Sequence, residues 1–237
     1  MIRLIGVLLV VFIYSGVFAQ STDVQVWTEK GFKGQIVKKL DYGVEWTNRI
    51  GNQGFETMFP QLSMKYKITN WFRPSIDYRL ILKRQLNSNY DASNRLNFNI
   101  QFSKLFDRLD LGMRFRYQYS FDNVSNANYE PDFDRAFRLK PSLSYDINNS
   151  ILTPTSSIEF FYNLSSGPLG KRFTKTRLFV GVDFELSGPH DISMGYIFDQ
   201  SINLPNPLSR HIFNVSYAYK IPSKKKDKPK KKGVRWL

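Results

Sequence analysis

Residues Arg95–Phe121, RLNFNIQFSKLFDRLDLGMRFRYQYSF, form two period-2 runs that meet at Asp107-Arg108. In the first run Leu96, Phe98, Ile100 and Phe102 share one face, and Arg95, Asn97, Asn99, Gln101 and Ser103 share the other. In the second, Leu111, Met113, Phe115, Tyr117, Tyr119 and Phe121 oppose Asp110, Gly112, Arg114, Arg116, Gln118 and Ser120. Successive side chains of a strand point to opposite faces, so the stretch predicts a hairpin with one apolar and one strongly polar surface. Each run is about 10–13 residues, where a tilted strand needs about 9–11 to cross a bilayer. Strands of soluble sheets usually stop near about 5–6. The pattern therefore predicts a hairpin of a transmembrane barrel.

The rest of the chain repeats it. Amphipathic runs are expected over Val24–Lys30, Gln35–Leu40, Tyr42–Arg49, Glu56–Ile68, Phe72–Arg84 and Ser93–Phe106. Further runs follow over Leu109–Phe121, Arg135–Ile147, Thr155–Leu164, Phe173–Leu186, Asp191–Ile202 and Arg210–Ile221. Gly31–Gly34 between the first two runs reads as a turn or as a bulge within one long strand, and the turn is preferred because bacterial single-chain barrels have even strand numbers; the expectation is an all-β antiparallel barrel of about twelve strands, with ten as the alternative. Short joints alternate with longer ones, the longer at Gly51–Phe55, Gln85–Ala92, Asp122–Asp134, Ser165–Arg172 and Asn203–Ser209. Short periplasmic turns and long outer loops are the outer-membrane arrangement. On that rhythm both termini are expected at the periplasmic end. Pro60, Pro74 and Pro141 fall inside runs, each removing a ladder donor, and are read as strand-end or bulge positions.

Composition agrees with this class. Of 237 residues, 16% are aromatic, with 20 Phe and 13 Tyr, and mean hydropathy is slightly negative, which excludes a bundle of membrane helices. There is no cysteine, so disulfides and thiolate metal sites are excluded. Met1–Ala19 has Arg3, an apolar run from Leu4 to Tyr14 and a small-residue end. It reads as a secretory signal peptide cleaved after Ala19. The domain expectation is a signal peptide over 1–19, a barrel over 20–221 and a basic tail over 222–237, in the outer membrane of a Gram-negative bacterium. Half of the +14 net charge lies in Ser223–Leu237, so half of the basicity is a tail and no nucleic-acid partner is expected. Outer-membrane lipid and lipopolysaccharide are the expected surroundings, and the tail could meet anionic headgroups or an acidic envelope polymer.

Parity assigns an arginine-rich inner face. Arg79, Arg114, Arg116, Arg138 and Arg177 share it with Glu45, Asp77, Glu159, Asp183 and Glu185. Filled with water, such a ring favours anions; paired with the carboxylates, it plugs the barrel. Barrels of about eight strands are filled and those of about 16–18 leave a channel, so a count near twelve does not decide. Catalytic signatures are scarce: no G-x-S-x-G, H-E-x-x-H or phosphate-cradling glycine motif is present. Ser209 and His211 share one face of the last run, at the position where a lipid-modifying enzyme would hold a serine and its base. Their spacing of about 6.5–7 Å along a strand is too long for a direct bond. His190 sits in an expected turn. Asp183 and Glu185 are read as salt-bridge partners rather than an acid–base pair. The oxygen-rich loop Asp122–Asp134 lacks an EF-hand spacing. No catalytic residue, cofactor or metal is expected.

Several features recur together: Trp27 after the leader, Arg49 closing an early strand, Tyr78-Arg79, Arg114-x-Arg116, and Leu139–Tyr145 followed by Thr153-Pro154 and Glu159-Phe160-Phe161-Tyr162. In this order the chain resembles the DUF2490 family of uncharacterised outer-membrane proteins of Bacteroidetes-type bacteria, across residues 22–221. The resemblance implies an outer-membrane β-barrel and supplies no substrate or catalytic residue. Three functions follow in order: a narrow passive pore with an arginine-rich lumen, a closed barrel serving structure or surface interaction, and a lipid-modifying enzyme using His211.

Overall fold

The alternating runs close into one sheet, seen in a computed structural model that describes residues 21–85, 87–123, 135–164 and 170–222. Among the described residues the strands are β1 (Ser21–Val37), β2 (Leu40–Gly51), β3 (Gly54–Tyr66), β4 (Phe72–Arg84), β5 (Tyr90–Phe106) and β6 (Leu109–Asn123). They continue with β7 (Arg135–Tyr145), β8 (Leu152–Asn163), β9 (Arg172–Phe184), β10 (His190–Ser201) and β11 (Leu208–Lys220). Each pairs antiparallel with its sequence neighbours, and β1 meets β11 to complete a closed barrel. The leader, the body of the Asp122–Asp134 loop and the lysine tail from Ser223 lie outside the described residues.

Eleven strands, not twelve, correct the expectation. Gly31–Gly34, read as a turn, lies inside β1, where Gly31 pairs with Glu45 and Gly34 with Tyr42. These glycines do not turn the chain; neither has a positive φ. A Cβ on Gly31 would stand 2.7 Å from the Val44 carbonyl oxygen, so its glycine permits close approach of two backbones.

The odd number has a second consequence. Hairpins reverse direction at each joint, so the first and last of eleven strands must run parallel. Ser21 lies beside Leu208 and Lys33 beside Lys220. The described chain therefore enters at the end carrying the β4–β5, β6–β7, β8–β9 and β10–β11 connections, and leaves at the other. The expectation that both termini share one end is corrected by this parallel seam. The β2–β3 joint is also tighter than expected, with Gly54 at φ 80° following Asn52-Gln53.

Two prolines coincide with gaps in the ladder. The β3–β4 register runs from Met58↔Leu82 to Gln61↔Arg79 and skips Pro60. The β7–β8 register runs from Leu139↔Phe160 to Ser142↔Ser157 and skips Pro141. Proline has no N–H to donate, so each removes one bond without shifting the strands.

The burial pattern is inverted relative to a soluble sheet. Leu62, Ile76, Phe98, Ile100, Phe115, Val180, Met194 and Phe213 face outward and are exposed, while Asn97, Asn99, Arg116, Gln118, Glu159 and Asp199 are buried inside. The outer belt is interrupted beside the seam, where Asn48 Nδ2 donates to Thr28 Oγ1 at 3.3 Å and Trp46 Nε1 to Asn48 Oδ1 at 2.7 Å.

Candidate functional site

The interior is where this fold concentrates its charge, and three carboxylates organise it. Glu159 on β8 accepts from Arg138 Nε at 3.0 Å and Nη2 at 2.8 Å, and from Arg114 Nη2 at 2.8 Å. Asp77 on β4 receives Arg116 Nη2 at 3.0 Å and Asn99 Nδ2 at 2.9 Å, while Arg116 Nε donates to Asn99 Oδ1 at 2.5 Å. Asp199 on β10 receives Arg177 Nη2 at 2.8 Å, with Lys175 Nζ 3.6 Å away. Arg79 takes a different partner: its Nε donates to Gln61 Oε1 at 2.7 Å, and Gln61 Nε2 donates to Glu45 Oε2 at 3.0 Å.

Register explains why these groups need counter-charges. Arg116 lies directly opposite Arg138 on the β6–β7 ladder, and Arg79 opposite Arg95 on β4–β5. Like charges directly opposed across a ladder repel. Glu159, on β8 beside Arg138, and Asp77, on β4 two strands from Arg116, give the two members of one such pair separate partners; Arg95 Nε turns instead to Ser120 Oγ at 3.0 Å.

Aromatic rings fill the space between the ion pairs. Trp27 of β1 has the Arg49 guanidinium 3.9 Å and the Arg177 guanidinium 4.9 Å from its ring centroid. Arg49 also lies over Phe59 at 4.5 Å. Phe161 carries Arg138 at 4.3 Å and Arg177 at 5.3 Å. To meet Arg177 on β9, Trp27 reaches over β11 and β10, where buried Ile212 and Ile197 join it and Phe179 in one apolar cluster. The Phe179 ring lies against Gly181 and Gly195, within 2.5 Å of where either residue's Cβ would stand. The contacts form a transverse chain: Phe59, Arg49, Trp27, Arg177, Phe161, Arg138, Glu159, Arg114. Desolvated cation–π contacts are worth up to about 2 kcal/mol each.

Strand parity places the arginines and acids on one face, but the aromatic partners were missed. Trp27, Phe59, Phe161 and Phe179 share the inward parity of the arginines, which is the signal that could have found them. Lys140 shares the arginines' parity and is expected on the inner face with them, whereas Lys175 was missed as a member of the charged interior for want of any motif. Asp183 is buried, and Glu185 accepts from Thr153 Oγ1 at 3.0 Å.

The serine and histidine of the last strand are not brought together. Ser209 Oγ donates to Gln200 Oε1 at 2.8 Å, and His211 Nδ1 meets the Tyr196 hydroxyl. His190, expected in a turn, opens β10 with Nδ1 2.9 Å from the Tyr217 hydroxyl. No group of metal-binding side chains occurs among the described residues.

A family model described as a protein of unknown function, DUF2490, matches residues 24–211. No curated protein and no solved structure matches the chain.

Proposed function

The chain belongs to the DUF2490 family, and from that premise we propose that it is an outer-membrane barrel shut by its own side chains, working through its two mouths rather than as a through pore. The apolar outer belt supports the membrane setting. So do aromatic clusters toward both ends: Trp71, Phe72 and Phe102 gather with ring centroids 5.3–6.0 Å apart near the short turns, and Tyr162 meets Phe173 at 5.1 Å near the long connections. Aromatic girdles at both interfaces are typical of such barrels. In this setting the lysine-rich tail of the sequence meets anionic headgroups or an acidic envelope polymer, and lipopolysaccharide surrounds the rim at the long connections. The reading includes no catalytic step.

The observation that carries the sealed reading is the Trp27 ring held between Arg49 and Arg177, linking strands that are not neighbours. The test is conductance of the refolded chain, residues 20–237, in a planar bilayer. The expected result is silence from the native barrel, and discrete openings once Trp27→Ala removes the ring between the two guanidiniums. Steady anion-selective steps from the native barrel would instead support the second reading, a narrow arginine-lined pore. What favours that second reading is the density of buried polar side chains along the interior.

A further inference from the structure

At the short-turn end the inner wall opens into a cup of ≈ 40 Å³. A cavity needs about 10–15 Å³ per water, so the cup has room for a few waters or one tetrahedral oxyanion. Its floor is made of small residues in register: Ser103, Gly112 and Ser142 lie directly across from one another on β5, β6 and β7, and Ser144 faces Thr155 on β8. A Cβ on Gly112 would come within 2.3 Å of Ser142 Oγ, so its glycine makes room for that hydroxyl.

Hydrogen-bond donors converge on this space without receivers. Ser103 and Thr155 are 8% and 5% exposed, and neither hydroxyl has a partner among the described residues. A buried polar group left unpaired costs about 1–3 kcal/mol. Arg114 and Lys140 are directly opposed on the β6–β7 ladder, a like-charge pair. Glu159 is shared between Arg114 and Arg138; among the described residues Lys140 takes part in no ion pair and Arg114 Nε has no acceptor. Two carboxylates also line the cup. Asp110 lies in the field of Arg73, while Asp183 stands on the β9 wall.

We propose that this cup binds a phosphate group that still carries a proton, as hydrogen phosphate or as the monoanion of a phosphomonoester. Lys140, Arg114 Nε and the Ser103 and Thr155 hydroxyls donate to its oxygens, and Asp183 accepts the P–O–H hydrogen. Sulfate bears no proton at neutral pH and meets Asp183 as repulsion, so the cup discriminates between the two anions. The site lies at one mouth and does not depend on whether the lumen conducts.

The test uses the full refolded chain in detergent with inorganic phosphate, read by titration calorimetry and ³¹P NMR line broadening. Saturable binding is expected, with sulfate weaker by about tenfold or more, the scale of one hydrogen bond to a charged group. Lys140→Met should weaken phosphate by a similar factor, and Asp183→Asn should narrow the gap between phosphate and sulfate. Should Lys140→Met fail to fold, the Ser103→Ala, Thr155→Val pair carries the same expectation. Glycerol 3-phosphate binding as well as phosphate identifies a monoester headgroup as a fitting source; phosphate binding alone identifies the free ion. Absence of saturable phosphate binding by a folded, heat-modifiable barrel, or a Lys140→Met variant that binds like the native chain, overturns the proposal.

Discussion

Glu159 neutralises two buried arginines at once, so its removal leaves more unpaired charge than any single rim contact could. Breaking a buried ion pair by deleting one partner costs about 3–5 kcal/mol, and Glu159→Gln should lower the denaturant midpoint of the refolded barrel accordingly. Asp191→Asn is the contrast: its pair with Lys220 is 2.5 Å long but its side chains are 27% and 52% exposed, so the change should cost less than about 1 kcal/mol. Equal effects of the two substitutions would mean that water screens the interior as well as it screens the rim. At this scale the sequence shows which side of a strand a residue occupies, because parity does not depend on the rest of the fold. It does not show partners. That Arg79 meets Gln61 while Arg116 meets Asp77 depends on register between strands, and that Arg49 lies on two aromatic rings depends on what stands across the lumen.

Strand boundaries follow the amphipathic runs closely wherever a turn signal is strong. Phe72–Arg84 is β4 at both ends, and Asp107-Arg108 joins β5 to β6 with Asp107 at φ 54°. The miss at Gly31–Gly34 has a physical cause: glycine marks both turns and close backbone approaches, and a single sequence does not separate them. Gly31→Ala is the discriminating change. A methyl group 2.7 Å from the Val44 carbonyl oxygen must push β1 and β2 apart, and overpacking of this kind typically costs about 1–3 kcal/mol. Thermal unfolding of the refolded variant measures it. Were Gly31 in a solvated turn without positive φ, the same substitution would be neutral or mildly stabilising.

For the whole molecule, the parallel β1–β11 seam puts the two described chain ends on opposite faces of the barrel. Epitope tags placed before Ser21 and after Pro222 should therefore be reached from opposite sides of a sealed membrane in a protease-protection assay. Tags cleaved together from one side would reject the odd-stranded closure. By itself the sequence determined the all-β class and the division of each strand into an apolar and a charged face, because both follow from a period of two that every strand carries locally. Only the tertiary structure decided the strand number, the direction of the closing strand and the pairing of the inward-facing side chains. Each of these depends on contacts between residues far apart in the chain: β1 with β11, Trp27 with Arg177, Arg114 with Glu159. A local alternation of side chains carries no record of which strand will stand opposite.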